Sequence, residues 1–393
     1  MHRRTFLVAG TALVASPLLG QSSSDGRLRV AVIGHTGRGN YGHGLDTVWM
    51  HVPETKVVAV ADANAEGLEK ARKRLQTEHG FQDYREMLPA VEPDIVAVCP
   101  RHPDQHRDMI IASIEAGAKG IYVEKPFCRT PGEVDQIVAA AEKHQAKIAV
   151  AHRSRYHPTL QAIDRLITDG GLGKVLEIRG RGKGDRRGGG EDLWVLGSHT
   201  LNLISYFGGK PLTCSAVMKQ DGHRVSKADV SEGNEALGPL AGNEVHARYE
   251  MERGMIACFD SIANDETHNH GFGLQIIGSR GIVAIKCDQH PLAHFVPGNP
   301  FEPTERPRPW IPISSAGVGR PEPRDDLAEM VTHHGGPARD LIASIGTDRQ
   351  PMCSAGEGAT ILEMICGVFE SHRQGSRAVA LPLQERGNAL AKL

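Results

Sequence analysis

The sequence predicts an α/β protein in two parts: an N-terminal doubly wound parallel sheet, then an α+β domain on an open, mostly antiparallel sheet. Three observations predict it. Between Leu28 and Ala151, short β-branched runs recur without polar alternation, separated by helix-like segments, as in strands buried on both faces. A glycine-rich stretch directly follows the first of these runs. From Val175 onward, several apolar runs alternate with polar residues, the pattern of strands with one wet face. At 393 residues the chain exceeds one ordinary core, so two domains are the default.

The chain opens on a segment of another kind. Arg3 and Arg4 precede Thr5-Phe6-Leu7 and an apolar stretch to Leu19, followed by polar residues from Gln21 to Asp25. That stretch is too short to span a bilayer and suits the core of a signal peptide. The arginine pair resembles a twin-arginine export signal, the route of proteins that fold before crossing, although His2 stands where Ser or Thr is usual. Residues 1–24 are therefore expected to be a signal peptide and the protein to be periplasmic or otherwise exported. An uncleaved anchor or a disordered tail is the competing reading. Removal of the segment takes Arg3 and Arg4 with it, and the formal charge of −2 becomes −4.

Residues 25–151 carry the parallel sheet. The runs are "LRVAVI" (28–33), "KVVAVA" (56–61), "DIVAVC" (94–99), "GIYVE" (120–124) and "KIAVA" (147–151). Val134, Ile137, Val138 and Ala141 keep helical spacing, and Thr130-Pro131-Gly132-Glu133 opens their helix with a capping box. After the first run, "GHTGRGNYG" (34–42) puts Gly34 and Gly39 at the outer positions of a G-x-G-x-x-G register, with Thr36 at the middle one. The middle glycine normally admits the pyrophosphate of a dinucleotide, so Gly37 is expected to supply that freedom and the Thr36 hydroxyl to donate to a phosphate oxygen, with a glycine-rich turn that holds no ligand as the plain alternative. Arg38 lies within the same loop, and a helix is expected after it. Asp62 ends the second run, where a carboxylate accepts from ribose hydroxyls and repels a 2′-phosphate. NAD is the expected cofactor, ahead of NADP. Pro100, His102 and His106 follow the end of "DIVAVC", and the histidines are expected to flank the nicotinamide ribose.

"GIYVEKPFC" then places Glu124-Lys125-Pro126 at the C-terminal end of a strand, the edge where doubly wound sheets take their ligands. Two adjacent charges are poor core material, and a solvated strand end is the plain alternative. Together with the glycine loop and Asp62, this stretch resembles the Gfo/Idh/MocA oxidoreductases, a likeness running from Arg27 to about Leu383. "HRSRYHP" (152–158), "IIGSRGIVAI" (276–285) and the segment 350–375 resemble later parts of that family. The resemblance implies an N-terminal Rossmann domain and an E-K-P motif whose Lys125 sits beside the nicotinamide and the substrate hydroxyl. Such a lysine lowers the hydroxyl's pKa and relays its proton as hydride leaves carbon. It also makes Glu124 a cofactor neighbour, and Arg153, Arg155 and Tyr156 substrate candidates.

Residues 152–393 form the second domain. Its strand-like runs are "VLEIRG" (175–180), "LTCSAVM" (212–218), "EVHARYEM" (244–251), "MIACFDS" (255–261), "LQIIG" (274–278) and "IVAIK" (282–286). One sheet face would carry helices and the cleft, and the resemblance implies a homo-oligomer formed through the other. Residues 299–326 hold seven prolines and little periodicity, and read as an extended arm, packed on a neighbouring subunit or disordered.

Residues 193–207 lack charge and end at Gly208-Gly209, so they read as one short buried helix. Val195, His199, Asn202 and Tyr206 share a face at 100° per residue, and Asp192 falls on it too. The related family commonly shows D-x-G-x-H-x-x-D here, with Asp and His meeting substrate. In "VLGSHTLN", Gly197 and His199 are kept, but Val195 replaces the first Asp and Asn202 the last. Either Lys125 and His199 act without a carboxylate, or Asp192 or Glu191 reaches in from the loop to supply it. A core histidine satisfied by a carbonyl is the bland alternative for His199.

The near-neutral charge offers no basic field for nucleic acid. Seven scattered cysteines without a C-x-x-C pair indicate neither a disulfide framework nor a zinc knuckle. The close histidine pairs (His102 and His106, His268 and His270, His333 and His334) lack H-E-x-x-H spacing, and no metal is expected. The leading expectation is an NAD-dependent oxidoreductase acting on a secondary hydroxyl of a sugar, polyol or glycoside. Two alternatives stand beside it. One is an enzyme that uses tightly held NAD transiently, for epimerisation, hydrolysis or elimination; the other is a non-catalytic sugar- or partner-binding protein.

Overall fold

The structure, a computed structural model, describes residues 26–267, 270 and 272–393. The arginine pair of the expected export signal and His268 lie outside the described residues.

The first sheet is built from β1 (Leu28–Ile33), β2 (Thr55–Ala61), β3 (Gly80–Phe81), β4 (Ile95–Val98), β5 (Gly120–Val123) and β6 (Lys147–Val150). Its order is β3-β2-β1-β4-β5-β6 and every pairing is parallel. Helices α1 (Ala65–Leu75), α2 (Tyr84–Val91), α3 (His106–Glu115) and α4 (Pro131–His144) form the crossovers. Ile95–Val98 and Gly120–Val123 are buried at every residue, which is why their sequences do not alternate. Thr130 caps α4 by accepting from the Glu133 N–H at 3.2 Å, with Pro131 in the first turn.

The chain continues through α5 (Thr159–Thr168), β7 (Val175–Arg181), α6 (Gly190–Val195), α7 (Gly197–Gly208), β8 (Pro211–Gln220) and β9 (His223–Arg224). A small ladder, β10 (Ser231–Glu232) with β11 (Pro239–Leu240), precedes β12 (Glu244–Met251), β13 (Ile256–Ile262), β14 (Gly273–Gly278) and β15 (Gly281–Lys286). Then come β16 (Ala293–Pro297), β17 (Ile311–Ser314), β18 (Gly317–Val318), α8 (Gly335–Ser344), α9 (Ala355–Arg373) and β19 (Val379–Ala380). The large sheet runs β18-β17-β16-β15-β14-β7-β13-β12-β8-β19, with β9 on β8. It is antiparallel except where β7 meets β13. On β12, Val245, Ala247, Tyr249 and Met251 turn inward and His246, Arg248 and Glu250 outward, the expected alternation. The inner face packs on α7 and α9, whose Leu362, Met364, Val368 and Phe369 are buried. Each such side chain contributes about 1.5–3 kcal/mol of apolar burial.

Three expectations need correction. No α-helix follows the glycine loop: residues 41–47 are turns leading to a 3-10 turn at Val48–Met50. Gly39, Asn40, Gly42 and Gly44 all have positive φ, which an α-helix cannot accommodate. The sheet face left bare is covered instead by Leu45, Val48, Trp49 and Val52, together with Ala338 and Leu341 of α8. Residues 335–344, assigned by sequence to the second domain, thus pack into the core of the first. Finally, the proline-rich arm is partly sheet: β17 pairs with β16 through Ala293–Ile313 and Phe295–Ile311, and β18 turns back on β17.

Candidate active site

The loop after β1 stands at the C-terminal edge of the first sheet. At Gly39, φ is +84° and a Cβ would lie 2.2 Å from the Arg101 backbone nitrogen, so glycine alone fits. Gly37 has φ +87° with no atom within 4 Å of its Cβ position, leaving one side of the turn open. A small cavity of about 190 Å³ opens at the ends of β1 and β2, lined by Gly34, His35, Asp62, Ala63, Gln82 and Tyr84 among others.

Asp62 borders this cavity but is not free for a ribose. Its carboxylate accepts from the Thr36 N–H (3.0 Å) and hydroxyl (2.6 Å), the Tyr41 hydroxyl (2.8 Å) and the Asn64 N–H (2.9 Å). Thr36 therefore donates to Asp62 rather than outward toward a phosphate. Tyr41, which the sequence did not single out, lies across Gly34, where a Cβ would come within 2.1 Å of its ring. Arg38 pairs with Asp104 at 2.5 Å, tying the loop to the segment after β4.

His106 has a structural role in place of the expected ribose contact. It is fully buried, with Nε2 at 2.7 Å from the Pro100 carbonyl and Nδ1 at 3.0 Å from that of Pro126. It braces the end of β4 against the E-K-P turn. His102, half-buried at the start of that segment, has its pKa lowered chiefly by burial.

Glu124 and Lys125 leave β5 into the interdomain cleft. Glu124 is 1% exposed and accepts from His43 Nδ1 and from the Lys125 N–H, both at 2.7 Å. Burial raises its carboxyl, but His43 and Lys125 outweigh burial and hold it at about 2. Lys125 is 5% exposed, and its Nζ donates to the Val195 carbonyl at 2.9 Å. Burial keeps its ammonium below the usual lysine range, with Glu124 opposing. The position where a carboxylate was expected thus supplies a carbonyl.

The cleft holds about 390 Å³ and is lined by Lys125, Arg153, Lys183, Arg187 and His199, with His43, His157, His290 and His334 around them. His199 Nδ1 is buried without a partner, and its ring lies 5.6 Å from that of His152. Burial first, then Lys125 and His152, keep its pKa well below the ordinary value, so it stands as a neutral imidazole. Both His152 nitrogens are also unpartnered, and burial pushes this ring down to about 3.

Asp192 does not reach the cleft. The chain breaks at Leu196 (φ −109°, ψ −38°), so α6 and α7 are separate helices and the shared face is lost. Asp192 is fully buried and accepts from Ser261 Oγ at 2.6 Å and from the Lys183 N–H at 3.0 Å. Glu191 accepts from Asn234 at 2.7 Å, also away from Lys125. Asn202 is 1% exposed and does not line the cleft; its carbonyl takes a 2.9 Å bond from Arg155. Arg155 stacks on Tyr206 at 4.5 Å, and Tyr156 donates to Asp340 at 2.7 Å, so both brace helices rather than substrate. Arg153 does line the cleft, donating to the Thr332 carbonyl at 3.1 Å.

The residues missed by sequence reasoning are mainly His43, His334, Lys183 and Arg187. His43 sits one residue past the glycine stretch and Lys183 two past β7, positions that a loop-edge argument could have reached. His334 stands immediately before α8, whose place on the first sheet no local pattern announces. Among the described residues, no group of three His, Cys, Asp or Glu side chains is placed to hold a metal ion.

A parallel sheet with a glycine turn and a buried lysine at its ligand edge, closed by an antiparallel-sheet domain, defines a two-domain dinucleotide-binding scaffold. Residues 28–152 match the model of the Gfo/Idh/MocA oxidoreductase family, described as an NAD-binding Rossmann fold. The chain is 24% identical over 263 residues to levoglucosan dehydrogenase of Pseudarthrobacter phenanthrenivorans, covering 61% of this chain and 66% of that one. It is 30% identical over 125 residues to D-apiose dehydrogenase of Paraburkholderia graminis, covering 32% and 33% respectively. The matched stretches thus span between a third and two thirds of these relatives' length. A solved levoglucosan dehydrogenase in complex with NADH and L-sorbose shares the fold, with TM-score 0.67, 20% identity, and 91% and 99% of the two chains covered. An NAD-binding oxidoreductase from Klebsiella pneumoniae does so too, with TM-score 0.68, 17% identity, and 90% and 99% coverage.

Proposed function

We propose that the protein is an NAD-dependent oxidoreductase acting on a secondary hydroxyl of a sugar, polyol or glycoside. The observation that carries this reading is Lys125, an amine 5% exposed at the ligand edge of the sheet, fixed by the Val195 carbonyl at 2.9 Å. The sugar dehydrogenases among the relatives support the substrate class.

The residues present fit a dinucleotide. The open side of the turn at Gly37 leaves room for the diphosphate, to be held by Gly37 and Arg38. Gly34, Ala63 and Gln82 line the adjoining cavity, which would take the adenosine end. Bound NAD would supply the hydride acceptor. Lys125, kept closer to its neutral form by burial, accepts the substrate's hydroxyl proton as the C–H bond gives up its hydride. The unpartnered Nδ1 of neutral His199 offers a hydrogen bond that orients the same hydroxyl. His43 and Lys125 keep Glu124 ionised beneath them.

NADH formation with a panel of sugars and polyols tests the reading. Lys125→Met should lower turnover by about a thousandfold while NADH still binds. Near-full activity in that variant would overturn the role. Product formed without any change in NADH would assign the chain to the transient-redox class.

We also propose export by the twin-arginine route, supported by Arg3, Arg4, Phe6 and Leu7, with a reporter fused to residues 1–25 as its check. Assembly of copies through the outward face of the large sheet is proposed too. The open row of His246, Arg248 and Glu250 supports it, and light scattering gives the mass.

A further inference from the structure

We propose that the substrate is a sugar acid whose carboxylate is received by Lys183 and Arg153; this rests on the oxidoreductase reading. The cleft is lined by four residues of positive formal charge, Lys125, Arg153, Lys183 and Arg187, and two of negative charge, Glu124 and Asp288. Of these acids Glu124 is fully engaged, whereas Asp288 is half-exposed and forms a loose ion pair with Arg153, 3.9 Å away. Glu124 is 1% exposed and accepts from His43 and the Lys125 N–H. Asp185, just outside the cleft, is clamped by Arg187, with an NH2 bond of 2.6 Å.

Two cations are left with capacity. Arg153 donates NH1 to the Thr332 carbonyl, but its NH2 stands 3.9 Å from Asp288, beyond hydrogen-bond length. Lys183 is half-buried in the cleft wall and makes no ion pair or side-chain hydrogen bond among the described residues, although its charge is felt by Asp185. An ammonium partly withdrawn from water gains from a carboxylate brought within reach of it. A carboxylate pairs with such a group more strongly than the hydroxyls of a neutral sugar do.

The wall is also built to present it. The Lys183 N–H is held by the buried Asp192 at 3.0 Å, and Asp192 is fixed in turn by Ser261. The following glycine run packs without room for side chains: a Cβ at Gly188 would lie 2.1 Å from the Ala263 nitrogen, and one at Gly189 2.3 Å from the Gly242 carbonyl. Lys183 therefore projects from an anchored backbone. One unpaired ammonium and one half-engaged guanidinium suit a single negative charge. The 390 Å³ of the cleft suits a monosaccharide.

The test compares gluconate and glucuronate with glucose, as substrates with NAD and as ligands of the NADH-loaded protein by thermal shift. The acids should show kcat/KM about tenfold or more above glucose, with the preference shrinking as salt rises. Lys183→Gln should cut that acid-to-neutral ratio by about tenfold, chiefly through KM. Equal use of glucose and the acids, or a ratio untouched by Lys183→Gln, overturns the proposal and leaves the oxidoreductase reading standing. If no sugar is oxidised, that reading fails on its own. The binding arm still decides here: an acid-induced melting shift lost in Lys183→Gln supports the anion site, and one retained in full overturns it.

Discussion

Asp192 shows how a residue can be conspicuous in sequence and do something else in the fold. Its position two turns before His199 suggested a substitute for the carboxylate missing at Val195, yet it faces Ser261 and the Lys183 backbone. Burial first, against the pull of those two donors, pushes its carboxyl up to about 6 from an ordinary value of 3.8. Because the folded value is the higher, folding takes up a proton between about pH 4 and 6, and stability falls as pH rises through that window. Above pH 6 the loss is complete and level, at most about 3 kcal/mol. Asp192→Asn keeps an acceptor and removes the titration. Denaturant midpoints across pH 4–7 should lose this component of their slope in the variant, and the same slope in both proteins would refute the assignment. Turnover should fall by far less than in Lys125→Met.

At the scale of elements, legibility followed burial. The runs at 28–33, 95–98 and 120–123 were readable because both of their faces are covered, and 244–251 because one is. Two elements misled for a shared reason, glycines whose demands are tertiary. Gly197 fits because a Cβ would lie 2.8 Å from the Phe259 ring, and it marks the start of α7 after the break at Leu196. The expected helix after the glycine loop fails at Gly39, Asn40, Gly42 and Gly44, whose left-handed backbone no hydrophobic periodicity reveals. Gly39 carries a direct consequence. Gly39→Ala puts a Cβ 2.2 Å from the Arg101 nitrogen at φ +84°, so the loop must shift. NADH affinity measured by calorimetry should weaken by about tenfold or more, while the domain stays folded. Unchanged affinity would mean that the turn is no part of the dinucleotide site.

For the whole molecule, the second domain is not a separable cap. The change from a parallel to a mostly antiparallel sheet was legible from the strand pattern, but the return of α8 to the first sheet was not, since its partners are nearly two hundred residues or more earlier in the chain. Ala338 and Leu341 join Trp49, Tyr122 and Ile95 in one core, and the Tyr122 hydroxyl and His334 Nδ1 lie 2.6 Å apart. His334 also lines the cleft, so the packing that stabilises the first domain places a cleft wall contributed by the second. The two halves should therefore unfold together. Leu341 is fully buried, and Leu341→Ala should cost about 2–5 kcal/mol through lost burial and a cavity. If the domains share that core, calorimetry will show one transition displaced to lower temperature, with agreement between calorimetric and van't Hoff enthalpies. A variant in which one transition moves and a second stays fixed would separate the domains. The cleft would then have to be held by contacts such as Arg153 to Thr332.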